Sequence, residues 1–316
     1  MPDSTANSTT LAHISDVHIT PPSGLAPRHL NVKRTLGLMN WHSGRKNIYC
    51  MSVADLLVAD MRVLGAHHVT VTGDLCNIGL PNEYAAALNW LERVGRPDAV
   101  TVVPGNHDIY TRMDNHPGVE LWHDYMASDA FGASVPGVGR TARGFPFVRR
   151  VGVAALVGVN SAVETRPFSA KGRVGREQLE GLEQVLHALE ASGLARIVLI
   201  HHPPLPGLAP KSRALKDAEE LAGVLSRAGA ELILHGHNHR DTLSCGYGPK
   251  VKIPVLGIAS GSAGRPHNDE PMARYNLVDV RMTDGARVIE VTGRGIVAEG
   301  GGVIELDRRV LAYEAV

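Results

Sequence analysis

This chain of 316 residues has few cysteines, few aromatic residues and no net charge. Its three cysteines, Cys50, Cys76 and Cys245, are odd in number and form no CxxC pair, which argues against a disulfide framework and a thiolate zinc site. They read as buried cytosolic thiols. Aromatic residues make up 4% of the chain, too little material for base-stacking platforms. Lys+Arg and Asp+Glu stand at 32 each, so no global field attracts a nucleic-acid polymer, and any anion site must be local. No apolar run reaches the roughly 18 residues of a membrane span. The opening MPDSTANSTT has neither Lys nor Arg, and no apolar segment follows it. It does not read as a signal peptide, and the expected location is the cytoplasm. What the sequence has in quantity is histidine, 16 in all, which points to nitrogen-ligand chemistry wherever these residues cluster.

Apolar patterning predicts strands over 10–15, 69–72 and 99–103, alternating with helices over 52–64 and 82–94. After an irregular stretch come strands over 145–150 and 153–159, a helix over 176–190, a strand over 196–200, a helix over 214–228 and a strand over 231–234. Later segments, 242–245, 251–258, 275–280, 288–291 and 303–306, read as strands of a second sheet. No internal repeat or low-complexity linker divides the chain. The expectation is one α/β domain over 1–293, two central sheets covered by helices, with a basic insertion at about 20–51. Residues 294–316 read as an edge strand or hairpin extension that offers a dimer contact.

Residues able to do chemistry follow the predicted strand ends. Asp16 and His18 lie in SDVH, Asp74 in TGDLCN, and Asn106, His107 and Asp108 in PGNHD. His201 and His202 follow RIVLI, and His237 and His239 lie in HGHNH. The carboxyl ends of strands in open α/β sheets form the crevice where ligands bind. A lone DxH reads first as a turn-capping Asp and a His satisfied by a carbonyl, and Gly-Asn is ordinary turn material. His at i and i+2 after a buried strand serves a turn poorly and a metal well. Five such loops in order leave little room for the bland reading.

In that order the segments DVH, GD, GNHD, HHPP and GHNH resemble the signature of calcineurin-like metallophosphoesterases, over roughly residues 11–240. The resemblance implies a four-layer α/β/β/α sandwich of two mixed β-sheets flanked by helices, and a two-metal centre. It implies that Asp16, His18 and His239 hold one metal, that Asn106, His201 and His237 hold the other, and that Asp74 bridges both. His202 then falls to support or packing. His107 is implied to contact the phosphoryl group and protonate the leaving alkoxide, with Asp108 orienting its ring. Nitrogen and oxygen ligands without sulfur suit Mn, Fe, Zn, Co or Ni, and several His make an all-oxygen Mg or Ca cage improbable. Two metals about 3.5–4 Å apart can share a hydroxide for in-line attack. Four metal charges less about three from Asp16, Asp74 and hydroxide leave a local centre of about +1 in a neutral protein.

Between Ile19 and Ala54 stand Arg28, Lys33, Arg34, Arg45 and Lys46, with no Asp or Glu. Following DVH directly, this stretch reads either as a basic, partly apolar lid that grips an anionic substrate or rests on an anionic membrane, or as an insertion packed on the domain. Arg34 and Trp41 are its candidate substrate contacts. Residues 110–143, with Arg112, His116, His123, Arg140 and Arg143, read first as a plain surface loop and otherwise as the other wall of the cleft, and ASGSAGRP offers Arg265 as a further substrate contact.

The leading expectation is a hydrolase of small phosphodiesters, by similarity to bacterial cyclic-nucleotide and glycerophosphodiester phosphodiesterases. The alternatives are a hydrolase of a lipid-linked diphosphate or phospholipid headgroup, a phosphomonoesterase, and a metal-free binding scaffold. GDLCNIG departs from the GDxxDRG of protein Ser/Thr phosphatases, and zero net charge argues against a nuclease.

Overall fold

The computed structural model describes residues 7–19, 21–112, 116–283 and 286–312. The first six residues of the opening decapeptide, and the last four of the expected C-terminal extension, lie outside the described residues. Among the described residues, twelve strands form two six-stranded sheets. In the first, β1 (Ser8–Ile14), β2 (His68–Val71) and β3 (Val100–Val102) run parallel. Antiparallel β10 (Arg274–Thr283), β11 (Ala286–Gly295) and β12 (Ile304–Ala312) continue it on the other side of β1, giving the order β12-β11-β10-β1-β2-β3. The second sheet contains β4 (Phe147–Val151), β5 (Ala154–Gly158), β6 (Ala195–Leu199), β7 (Leu232–His235), β8 (Thr242–Tyr247) and β9 (Lys252–Gly257), in the order β4-β5-β6-β7-β9-β8.

The period-2 alternation of the second sheet assigns its two faces. Leu156, Ile197, Leu199, Leu234 and Leu256 pack with Leu11, Ile14 and Val71 of the first sheet. Their neighbours Ala155, Val157, Val198, Ile233 and Val255 pack under helices. Those helices are α4 (Arg176–Glu190) and α5 (Ala218–Ala228), which bury Leu182, Val185, Leu186 and Leu189, and Leu221, Val224 and Leu225, at helical spacing. On the outer face of the first sheet lie α2 (Met51–Val63) and α3 (Pro81–Val94), through Leu57, Val58 and Met61 and through Tyr84, Trp90 and Leu91. The result is the four-layer sandwich.

Three expectations need correcting. Strands β10 to β12 join the first sheet rather than the second, with Leu11 opposite Val278; alternation marks a strand but not its partner. The segment after β1 also contains a helix, α1 (Val32–Ser43), whose N-terminal Asn31 side chain accepts from the Arg34 amide at 2.9 Å. Of the three thiols only Cys76 is buried; Cys245 is exposed on edge strand β8, where outward positions face solvent. Among the described residues no helix is long and apolar enough to cross a membrane.

Candidate metal centre

The loops at the carboxyl ends of β1, β2, β3, β6 and β7 meet at one edge, and those after β1, β2 and β7 carry strained backbone there. Asp16, His18, Asp74, His237 and His239 have φ between 45° and 71°, a left-handed region that costs a non-glycine residue roughly 1–2 kcal/mol. They are five of the seven such residues among those described, so this strain is concentrated at one place, as at functional sites. The β1–β2 pairing extends past both strands, with Asp16 N to Gly73 O at 2.9 Å and His18 N to Asp74 O at 3.0 Å. At Gly236 a Cβ would collide with the Ser15 side chain and the Asp16 carboxylate, which is why the HGH turn needs glycine.

Two groups of side chains converge here. Asp16, His18 and His239 form one and Asp74, His201 and His237 the other, each with candidate ligand atoms within 4.8 Å of one another. In the first, His239 Nε2 lies 3.1 Å from Asp16 Oδ1 and 3.3 Å from His18 Nε2. In the second, His201 Nε2 lies 3.3 Å from Asp74 Oδ2, 3.1 Å from Asn106 Oδ1 and 3.2 Å from His237 Nδ1.

Behind each imidazole an acceptor claims the other ring nitrogen. His18 Nδ1 donates to Cys76 O at 3.0 Å, His201 Nδ1 to Thr72 O at 2.7 Å, and His237 Nε2 to Arg213 O at 2.9 Å. His239 Nδ1 pairs with Glu270 Oε2 at 2.8 Å. A carbonyl has no proton to give, so it fixes the tautomer and leaves the inner nitrogen as a lone pair. Burial, reinforced by Arg45, holds His18 well below the usual imidazole range, and burial with His202 and His201 does the same to His237. Burial opposes charge on His201 and His239 too. Asp74 nevertheless raises His201 to about 9, and Tyr49, Asp16 and Glu270 hold His239 well above its ordinary value. Facing nitrogens and carboxylates of this kind call for cations between them, and the all-N/O donor set fits two ions of the Mn, Fe, Zn or Co type.

His107 borders both groups. Its amide donates to Asp74 Oδ1 at 2.7 Å, and its ring stacks on Tyr110 at 5.5 Å and meets His18 edge-on at 5.0 Å. Burial lowers it to about 4. The carbonyl of Asn77, not Asp108, orients its ring through Nδ1. Both Asp108 oxygens are taken by backbone donors, the amides of Asp74, Leu75, Cys76 and Gly105 at 2.8–2.9 Å, so this carboxylate ties two ligand loops together. Burial and Asp74 push its carboxyl up to about 7, against the pull of those amides. His202 is a packing residue, bonded to Ser161 Oγ at 2.8 Å and Ala170 O at 3.1 Å.

The three expected substrate contacts lie elsewhere. Arg34 is buried and donates to the carbonyls of Ile78, Gly79 and His29 at 2.7–3.2 Å, clamping α1 to the loop after β2. Trp41 packs into the core. Arg265 pairs with Glu299 at 3.0 Å beside a different hollow. The stretch 110–143 is not a plain surface loop, because Val119, Trp122, Tyr125 and Met126 are buried in the core, while Arg143 pairs with Glu120 at 3.3 Å outside it; 113–115 lie outside the described residues. The crevice over the two groups, about 420 Å³, is instead walled by Asn40, Arg45 and Tyr49 on one side and Arg213, Asn268 and Glu270 on the other. Sequence reasoning counted Arg45 only as one base among five and missed Tyr49 and Glu270. HNDEP carries no motif that singles out Glu270.

The family model for calcineurin-like phosphoesterases matches residues 9–241. No curated protein sequence matches the chain. Among solved structures, a dimetal phosphatase from Danio rerio aligns with TM-score 0.61 and 15% identity over 97% of this chain and 99% of that one. Purple acid phosphatase PPD1 from yellow lupin (Lupinus luteus) aligns with TM-score 0.56 and 14% identity, over 96% of this chain and 54% of that one. At such identities the likeness concerns the fold.

Proposed function

The chain belongs to the calcineurin-like phosphoesterase family, and from that premise we propose that it hydrolyses small phosphodiesters, such as cyclic nucleotides or glycerophosphodiesters, at a two-metal centre. The observation that carries the reading is the pairwise approach of inner imidazole nitrogens, 3.3 Å between His18 and His239 and 3.2 Å between His201 and His237, with their outer nitrogens already engaged. Asp16, His18 and His239 would hold one ion, Asn106, His201 and His237 the second, and Asp74 would face both. Bound there, the ions supply positive charge for a phosphoryl oxygen and generate a nucleophile from water near neutral pH. The chain's own contribution is preorganisation: three carbonyls and Glu270 set the tautomers, and Asp108 fixes the loops. His107, held through Nδ1, turns Nε2 to the phosphoryl group, whose negative charge favours a proton on that nitrogen for the leaving oxygen. Neutral Asn40, Ser43 and Asn268 along the crevice suit a second ester arm.

The test is add-back of Mn, Fe, Zn, Co or Mg to chelated protein, assayed on bis(4-nitrophenyl) phosphate, cyclic nucleotides, glycerophosphodiesters and 4-nitrophenyl phosphate. Metal-restored turnover with diesters at least tenfold ahead is expected. Preference for the monoester would move the assignment to a phosphomonoesterase. Absence of both bound metal and turnover would leave a binding scaffold.

A second reading, action on a lipid-linked diphosphate at an anionic membrane, has support from exposed apolar side chains on the crevice's rim segment. Val32 and Met39 share a face of α1 at 69% and 64% exposure, with Leu25 and Leu30 just before it. Flotation with anionic vesicles and hydrolysis of a UDP-diacyl sugar would favour it over the first.

A further inference from the structure

Arg45 differs from most of the other partly or fully buried arginines, Arg213 on the opposite wall of the crevice being the other exception. Arg34 has three carbonyl acceptors, Arg196 has Glu231, Arg274 has Asp241 and Asp307, and Arg294 has Asp60. The Arg45 guanidinium, half-buried in the crevice wall, has neither a carboxylate nor a carbonyl among the described residues. Its Nη2 lies 3.1 Å from His18 Nε2 and 3.2 Å from the Tyr49 hydroxyl, and the group sits over the Tyr49 ring at 5.1 Å. Tyr49 in turn packs on His18, ring centroids 4.7 Å apart. The fold therefore fixes this cation beside the inner nitrogen of an imidazole that belongs to the Asp16–His18–His239 group.

A guanidinium and a metal ion at such close quarters repel each other in a low-dielectric crevice, and the arrangement becomes favourable once an anionic oxygen lies between them. No acidic side chain of the 20–54 stretch can supply that oxygen, because the stretch has none. A phosphoryl group can, and guanidinium geometry suits it, since the planar fork donates two parallel N–H bonds to one phosphate. We propose that Arg45, braced by Tyr49, is a substrate-binding residue that holds a non-bridging phosphoryl oxygen on the Asp16–His18–His239 side of the crevice. The assignment deepens the phosphoester reading above and rests on it for the identity of the substrate. It also gives the 20–51 segment a role in the site through Arg45, where Arg34 and Trp41 are structural.

The test is calorimetric titration of inorganic phosphate into metal-loaded protein, with metal content measured alongside. R45Q is expected to keep two ions per chain while binding phosphate roughly 10- to 100-fold more weakly, the range for losing a charge-assisted hydrogen bond. R45K, which keeps the charge without the fork, is expected to fall between R45Q and the native chain. R28Q, an exposed charge removed from the same segment, should bind phosphate as the native protein does. Native phosphate affinity in R45Q with its ions in place would overturn the assignment. So would loss of the ions in R45Q and R45K alike, which would make Arg45 part of the scaffold of the metal group. Arg45-dependent phosphate binding by a loaded protein that hydrolyses no ester would support the assignment and remove the hydrolase reading instead.

Discussion

Four imidazoles in the crevice depend on what stands behind them, and one support differs in kind. His18, His201 and His237 lean on backbone carbonyls, whereas His239 leans on the carboxylate of Glu270 at 2.8 Å. A carboxylate makes the imidazole a stronger base as well as orienting it. Glu270→Gln is therefore expected to weaken one ion of the pair by about 10- to 100-fold while leaving the other in place, read by titrating metal into chelated protein; two unchanged affinities would refute the role. His107→Ala should retain both ions and lose most turnover on esters with poor leaving groups, with less effect on 4-nitrophenyl esters; equal turnover on both would defeat its assignment as proton donor. The converging residues were legible because each ends a strand within a short motif. Glu270 and Arg45 were not, since tertiary folding alone brings them to the crevice. Asp108 was misread for a related reason: its four partners are backbone amides, which leave no mark in the sequence.

Helix α1 forms a crevice wall only because its inner face can lie close to the loops beneath it. At Gly37 a Cβ would stand 2.6 Å from the Tyr110 hydroxyl and 2.7 Å from Ile78 Cγ2, so glycine is needed here for close approach rather than for backbone freedom. The same contact is tied by Lys33 Nζ to Tyr110 O at 2.8 Å and by the Tyr110 hydroxyl to Lys33 O at 3.2 Å. Gly37→Val should lift α1, cost about 1–3 kcal/mol as overpacking does, and raise KM several-fold with metal content unchanged. Denaturant melts, steady-state kinetics and metal analysis check all three, and an unaltered KM would show that α1 does not shape the site. Sequence patterning missed this helix because the stretch reads as a basic mixture without a clean apolar face. Most other helices and strands were legible to within a few residues. What patterning could not supply was pairing, and so β10 to β12 were expected in the wrong sheet: which edge a returning strand joins is decided by the packing of whole layers.

The histidines outside the crevice link the stability of the molecule to pH. His13 is buried with Nε2 2.9 Å from Thr72 Oγ1, and His68 is buried with Nε2 2.7 Å from Thr101 Oγ1. Burial, with His235 adding to it, lowers His13 to about 3, and burial with Arg149 lowers His68 to about 4. An unfolded imidazole titrates near 6.5, so between that value and the folded one the unfolded chain binds the proton and the native chain does not. Stability must then fall as pH drops below about 6.5, with a slope approaching about 1.4 kcal/mol per pH unit for each such histidine, levelling off once the folded group itself protonates. Surface pairs such as Arg176 with Glu180 are exposed and contribute little to this. Denaturant unfolding of the metal-loaded protein at pH 7, 6 and 5 should show the decline, and His68→Gln, which keeps a polar partner for Thr101 without a titrating group, should reduce the slope by close to one histidine's share. An identical slope in the variant would mean that His68 does not carry the linkage and that the acid sensitivity belongs to the crevice, where protons compete with metal for the same nitrogens.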